Sequence, residues 1–254
     1  MNNKARKNKT SNRSVGRVIV IGGGIGGIQC ALDLAETGFY VYLLDKSHTL
    51  GGTMARLDKT FPTNDCSTCM FSPKLVQVAG NPNIEIITSS RLLALSGQPG
   101  HFTARVEKQP RFINFEKCIA CGQCAEKCPK KVPDPFNGEL GYRKAAFLTF
   151  PQAVPLKYAL DAENCLYLTR KRCGLCKKIC PTDAVEFDQQ VEIISLEAGA
   201  VVLSTGFELA LTAQEGEYGF GRYRNVVTSL QYERMLSATG PYAGHLKRPS
   251  DNRV

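Results

Sequence analysis

Eight of the eleven cysteines fall between Lys117 and Pro181, in two runs whose spacing packing alone does not explain. The first is Cys118, Cys121, Cys124 and Cys128, followed by Pro129; the second is Cys165, Cys173, Cys176 and Cys180, followed by Pro181. From Cys121 and from Cys173 onward both runs read Cys-Gly-x-Cys-x-x-x-Cys-Pro, so one unit is duplicated. Thiolates at two-residue gaps can wrap three ligands around a cubane of iron and sulfide, while a fourth cysteine just before proline is turned away from that cube. Gly122 and Gly174 suit a backbone that passes close to inorganic sulfide.

In ferredoxin-type modules the fourth cysteine of each run ligates the other cluster. The expected ligand sets are therefore Cys118, Cys121, Cys124 and Cys180 for one [4Fe–4S] cluster, and Cys165, Cys173, Cys176 and Cys128 for the other. Paired zinc sites are the alternative, but they use two separated Cys-x-x-Cys knuckles rather than this tight run. One ligand is displaced. Strict alignment of the repeats puts the first cysteine of the second run at position 170, which is Arg170, so a three-iron or labile second cluster stays open.

The elements that position these residues belong to a chain of 254 residues with 43% hydrophobic content, enough for a packed core. No apolar run reaches membrane-spanning length and the N-terminus has no apolar secretory core, so a cytoplasmic protein without a membrane span is expected. Clustered cysteines there read as metal or redox sites rather than a disulfide framework. The formal charge is +9. Two four-thiolate cubanes and a dinucleotide at about −2 each would leave roughly +3, so the basic residues offset bound anions rather than announce nucleic acid. Lys127, Lys130, Lys131, Arg170, Lys171, Arg172, Lys177 and Lys178 lie in or beside the cluster loops, as charge compensation or as a docking face for an acidic partner. Residues 1–14 are basic and polar, without apolar periodicity or interleaved aromatics, and read as a disordered tail.

From Arg17 the pattern becomes a second machine. Val18 to Ile21 is a buried-strand run, Gly22, Gly24 and Gly27 lead into a helix ending near Gly38, and a second strand, Val41 to Leu44, ends in Asp45. A strand, Gly-x-Gly-x-x-Gly turn, helix, strand and acid form a unit that seats a dinucleotide pyrophosphate on a helix N-terminus and offers a carboxylate to ribose hydroxyls. The fingerprint does not choose between FAD and NAD. Two features favour FAD: Leu50-Gly51-Gly52, where flavoproteins of the thioredoxin-reductase type place a glycine pair, and the strand Gly199 to Leu203 running into Ser204-Thr205-Gly206, which resembles their Ala-Thr-Gly closing motif. Strands are also expected over Asn83–Thr88, Phe102–Val106 and Val191–Leu196, a proline-interrupted connector over Lys131–Pro155, and one helix over Val226–Thr239. Cys66 and Cys69 form a separate Cys-x-x-Cys, read as a redox dithiol, half a metal site or a structural pair; Cys30 reads as a small core residue.

Taken together the residues resemble the A-subunit family of heterodisulfide reductase. The resemblance rests on the Gly22-Gly23-Gly24-Ile25 opening, Asp58-Lys59-Thr60-Phe61-Pro62-Thr63 before Cys66, Phe150-Pro151-Gln152-Ala153-Val154-Pro155, Gly240-Pro241 and Arg248-Pro249-Ser250-Asp251. It implies an FAD domain of thioredoxin-reductase type carrying an inserted two-cluster module, working with other subunits, with a hydrogenase or similar donor, and with ferredoxin, in some members with flavin-based bifurcation. The expected architecture is α/β: an FAD/NAD-binding Rossmann-like domain (15–110 and 188–254) with an inserted α+β two-cluster ferredoxin-like module (111–187). The function expected is electron transfer between FAD and two [4Fe–4S] clusters. An NAD(P)H-dependent iron–sulfur oxidoreductase and a non-catalytic cluster carrier are the alternatives. Family members continue beyond this length, and Phe207–Val254 reads as too short to complete the flavin domain, so weak FAD retention by the isolated chain is expected.

Overall fold

In the computed structural model, residues 15–209 and 215–253 are described; the basic stretch 1–14 lies outside them. The first strand, β1 (Arg17–Ile21), is buried on both faces, and each face meets a different layer. Val18 and Val20 pack against α1 (Ile25–Glu36) through Ile28, Ala31 and Leu32, while Ile19 faces the opposite way. Such a strand must be apolar throughout, which is why it reads as a continuous run rather than an alternation. It is flanked in parallel by β2 (Tyr40–Leu44).

The chain then forms a two-residue ladder, β3 (Lys59–Thr60) with β4 (Asp65–Cys66), and enters α2 (Ser67–Gly80), which lies beside α1. Next come β5 (Ile84–Ile87), β6 (Ser90–Gln98) and β7 (His101–Lys108). β5 joins the parallel sheet next to β2, whereas β6 and β7 form an antiparallel hairpin in which Gln98 faces His101. β6 is absent from the sequence expectation. Its side chains are mostly exposed, so it lacks the apolar signature that betrays a buried strand.

After Lys108 the chain leaves the sheet, and it returns in β12 (Glu192–Ala198), where Glu192 pairs directly with Lys108. The excursion therefore starts and ends on the same rung and costs the ladder no pairing. Within it lie α3 (Gln123–Glu126), β8 (Lys131–Pro133), a 3-10 turn at Pro135–Asn137, β9 (Tyr142–Lys144), β10 (Ala146–Phe147), β11 (Ala159–Leu160), α4 (Leu166–Arg170) and α5 (Leu175–Ile179). It has a core of its own, built from Ile113, Cys118, Ala146, Leu160, Ala184 and Val185, and a bridge between Ile113 and Val185 closes its ends.

β13 (Ala200–Leu203) completes the parallel sheet in the order β13-β1-β2-β5. One face carries α1 and α2; the other packs Ile19, Tyr42 and Leu44 on Ala104, Val106, Leu196 and Ala198 of the antiparallel sheet β12-β7-β6. The result is a Rossmann-like α/β unit in three layers. Each fully buried Val, Ile or Leu in it contributes about 1.5–3 kcal/mol. The chain ends in α6 (Glu215–Tyr218) and α7 (Ser229–Leu236). The single helix expected over Val226–Thr239 is thus shorter: Thr228 caps it, its hydroxyl accepting from Gln231 N–H at 3.2 Å while Gln231 Oε1 accepts from Thr228 N–H at 2.8 Å, and extended backbone at Ser237 ends it. Among the described residues no helix is long and apolar enough to cross a membrane.

Candidate functional site

The glycine turn sits where β1, β2 and β13 all end. Gly22 has φ 108°, and a side chain there would collide with the Ser204 carbonyl; one on Gly27 would collide with the Gly22 carbonyl. Both positions are glycine because backbone meets backbone. Gly24, the residue before α1, is different: no protein atom lies within 4 Å of where its Cβ would stand. That open space at the N-terminus of a 12-residue helix, with no acidic residue in its first turn, is a cradle for an anionic group.

Asp45 is buried at the end of β2, with Oδ2 accepting from Gly23 N–H and Oδ1 from Ser47 N–H, both at 2.7 Å. The carboxylate is thereby held at the rim of the turn with lone pairs to spare. Gly51 donates its N–H to the Gly23 carbonyl at 2.8 Å, which folds the glycine pair onto the turn; a Cβ on Gly52, at φ 54°, would lie 3.0 Å from Gly24 Cα. On the third side Ser204 N–H bonds Ile21 O at 2.8 Å, bringing Thr205 and Gly206 to the same sheet edge. The residues expected to face a dinucleotide, Gly22, Gly24, Gly27, Asp45, Gly51, Gly52, Thr205 and Gly206, are therefore gathered around one sheet edge.

In the insert, Gly122 and Gly174 adopt matching left-handed conformations (φ 83° and 86°) and open α3 and α5, which pack on each other. The two repeats therefore face one another. Cys128, from the first run, lines the same cavity as Cys165, Cys173 and Cys176, from the second. That cavity is about 350 Å³, its open mouth included. The five residues Leu166–Arg170 that displace Cys165 from its repeat position coil into α4, after which Lys171 turns the chain back at φ 54°. Cys165, itself buried, still reaches the cavity.

Burial, then the neighbouring Cys118 thiol, push Cys124 up to about 12, with Cys176 and Cys121 adding to it. Burial, then Cys165, push Cys176 up to about 11, with Cys128 and Cys173 adding to it. These thiols would give up their protons only to a strongly cationic ligand. Cys180 differs: burial alone would raise it, but backbone N–H groups of Ala184 and Thr182 outweigh that and hold it low. Its Sγ accepts from Ala184 N–H at 3.2 Å and packs in the insert core with Cys118 and Cys124.

Several neighbours of these cysteines went unrecognised in the sequence, because nothing in their spacing marks them. Tyr158 stands over Gly122, its hydroxyl 3.0 Å from where a Cβ would be, and its own titration is raised by burial and by the thiols of Cys124, Cys121 and Cys118. Lys157 Nζ donates to Cys118 O at 2.6 Å. Arg111 is buried between the insert and the sheet, reaching His48 O and Thr88 Oγ1. Leu50 N–H donates to Val154 O at 2.7 Å, and Phe150 and Val154 pack on the core beneath α1 and α2. The insert is thus bonded to the loop that carries the glycine pair. Cys30 packs partly buried against the same core.

Residues 20–74 match the model of an NAD(P)-binding Rossmann-like domain, and residues 111–134 that of a 4Fe-4S binding domain. The chain is 45% identical over 235 residues to the iron-sulfur A-subunit of CoB--CoM heterodisulfide reductase from Methanocaldococcus jannaschii, covering 92% of this chain and 35% of that protein. It is 48% identical over 236 residues to one of the corresponding iron-sulfur A-subunits of CoB--CoM heterodisulfide reductase from Methanopyrus kandleri, covering 93% of this chain and 35% of that one. Over 235 residues it is 43% identical to the A-subunit of the H(2):CoB-CoM heterodisulfide,ferredoxin reductase from Methanothermobacter marburgensis, covering 92% and 35%. The chain spans about a third of the length of these relatives.

Proposed function

We propose that this chain, which belongs by sequence to the A-subunit family of heterodisulfide reductase, is an electron-transfer subunit that holds FAD on its Rossmann-like part and two [4Fe–4S] clusters in its insert. The observation that carries this reading is the cavity in which Cys128 joins Cys165, Cys173 and Cys176, the crosswise ligand set that a duplicated ferredoxin unit requires. The remaining set is Cys118, Cys121, Cys124 and Cys180. When bound, a flavin exchanges electrons in pairs or singly and the clusters exchange them singly, so the pairing suits a device that joins two-electron to one-electron chemistry.

The chain's own residues supply position and electrostatics. The α1 N-terminus and the open face of Gly24 receive the pyrophosphate, Asp45 accepts from ribose hydroxyls, and Gly51, Gly52, Thr205 and Gly206 let the cofactor approach backbone. Cys124 and Cys176, one from each ligand set, stand on the two sides of the α3–α5 contact, and Cys176 adds to the rise at Cys124. We place the insert at 111–187 and the nucleotide-binding parts at 15–110 and 188–254. The protein works in the cytoplasm with the other subunits of a heterodisulfide reductase-like complex, with a hydrogenase or similar donor, and with ferredoxin, with bifurcation at the flavin.

Anaerobic purification followed by iron, sulfide and flavin analysis tests this. About eight irons and eight acid-labile sulfides per chain are expected, with FAD taken up on titration but retained weakly by the isolated chain. Zinc in place of iron would refute the cluster reading. The match to an NAD(P)-binding model favours a second reading, with NAD(P)H in the Gly22 site. Tight NAD(P)H binding by protein that takes up no FAD would establish it in place of the first.

A further inference from the structure

Cys66 and Cys69 belong to neither ligand set, and they are joined by a disulfide. Cys66 ends β4 and becomes the N-cap of α2, where its Sγ accepts the N–H of Cys69 at 3.2 Å. Between them Ser67 is fully buried, its hydroxyl donating to Met54 O at 2.7 Å and its N–H to Asp58 O at 3.1 Å. That residue clamps the turn and holds the two Cα atoms 5.2 Å apart, a separation that suits the bonded pair without moving backbone. Cys69 is exposed and Cys66 is partly covered.

We propose that Cys66 and Cys69 form a thiol–disulfide exchange site for small dithiols and, in reverse, small organic disulfides. This goes beyond the electron-transfer reading and does not depend on flavin or clusters. A thiolate of the dithiol attacks the exposed Cys69 Sγ, the Cys66–Cys69 bond breaks, and Cys66 leaves as thiolate. The Cys69 N–H and the N-terminus of a 14-residue helix stabilise that leaving group. The second thiol of the dithiol then attacks its own sulfur in the mixed disulfide, closing to a cyclic disulfide and releasing Cys69. The dithiol loses two electrons and two protons; the protein gains both and holds two thiols.

The test equilibrates the full chain anaerobically in mixtures of reduced and oxidised dithiothreitol, quenches with an alkylating agent, and reads Cys66 and Cys69 by peptide mass. Reversible interconversion of both thiols in folded protein, with iron content unchanged, is expected. With an aromatic disulfide as probe, Cys66→Ser should capture a mixed disulfide at Cys69 at least tenfold faster than Cys69→Ser captures one at Cys66. A disulfide reduced only under denaturing conditions would make the pair structural and overturn the proposal. Loss of iron in both serine variants would make the cysteines metal ligands and overturn it too.

Discussion

Arg111 is buried beside Cys118, and its hydrogen bonds run to three neutral oxygens: the His48 carbonyl, Thr88 Oγ1 at 3.2 Å and the Lys157 carbonyl at 3.5 Å. Burial lowers its pKa to about 10, against the pull of Cys118, so it remains charged at neutral pH. A buried cation needs a counter-charge, and an anionic cluster on Cys118 would provide it.

Replacing Arg111 by Gln should therefore make the cluster held by Cys118, Cys121 and Cys124 harder to reduce, while Arg111→Lys should restore most of the potential. A redox titration followed by electron paramagnetic resonance reads the shift. Equal potentials in wild type and Arg111→Gln would mean that the guanidinium only joins the insert to the sheet.

His48 carries a pH signature. Burial chiefly, then Arg111 and Arg143, lower its pKa from 6.5 to about 4, while its Nδ1 lies 2.7 Å from Ser89 Oγ and its ring meets Phe147 edge-on. The folded state holds it neutral, so between pH 6.5 and about 4 the unfolded chain binds the extra proton. Stability is thus fully present above 6.5 and falls as pH drops, by about 3 kcal/mol at the lower end. Urea unfolding at pH 7 and pH 5 should show a smaller loss in His48→Asn than in wild type. Equal losses would put the titrating group elsewhere.

Cys128→Ser should damage the cluster of Cys165, Cys173 and Cys176 and spare the neighbouring one, because Cys128 lines one cavity with those three cysteines although it belongs to the first sequence run. Roughly half the iron should be lost. Loss of the Cys118 cluster instead would show that the ligands are not crossed.

Two glycines of the turn should behave oppositely. Gly27→Ala drives a methyl into the Gly22 carbonyl and should cost about 3 kcal/mol or more of stability. Gly24→Ala meets no protein atom, so stability should change by less than about 0.5 kcal/mol while FAD affinity falls about tenfold or more. Chemical denaturation and flavin titration separate the two. Unchanged FAD binding in Gly24→Ala would move the pyrophosphate away from α1.

The sequence by itself determined the local machinery. Thiolate spacing around a cube, the glycine turn between strand and helix, and the acid that ends β2 are short-range patterns, each fixed by a few neighbouring residues and readable without the fold. The strand β6 was not legible, because its exposed side chains carry no apolar period, and α7 was over-extended because the cap at Thr228 outweighs helix propensity around it. Only the tertiary structure decided what depends on distant segments meeting. It folded Leu166–Arg170 into α4 so that the displaced Cys165 still reaches the cavity, and it set Lys108 against Glu192 so that the insert leaves and rejoins one sheet. It also buried Arg111 between Thr88 and Cys118, because burial is a property of packed surfaces that no spacing along the chain records.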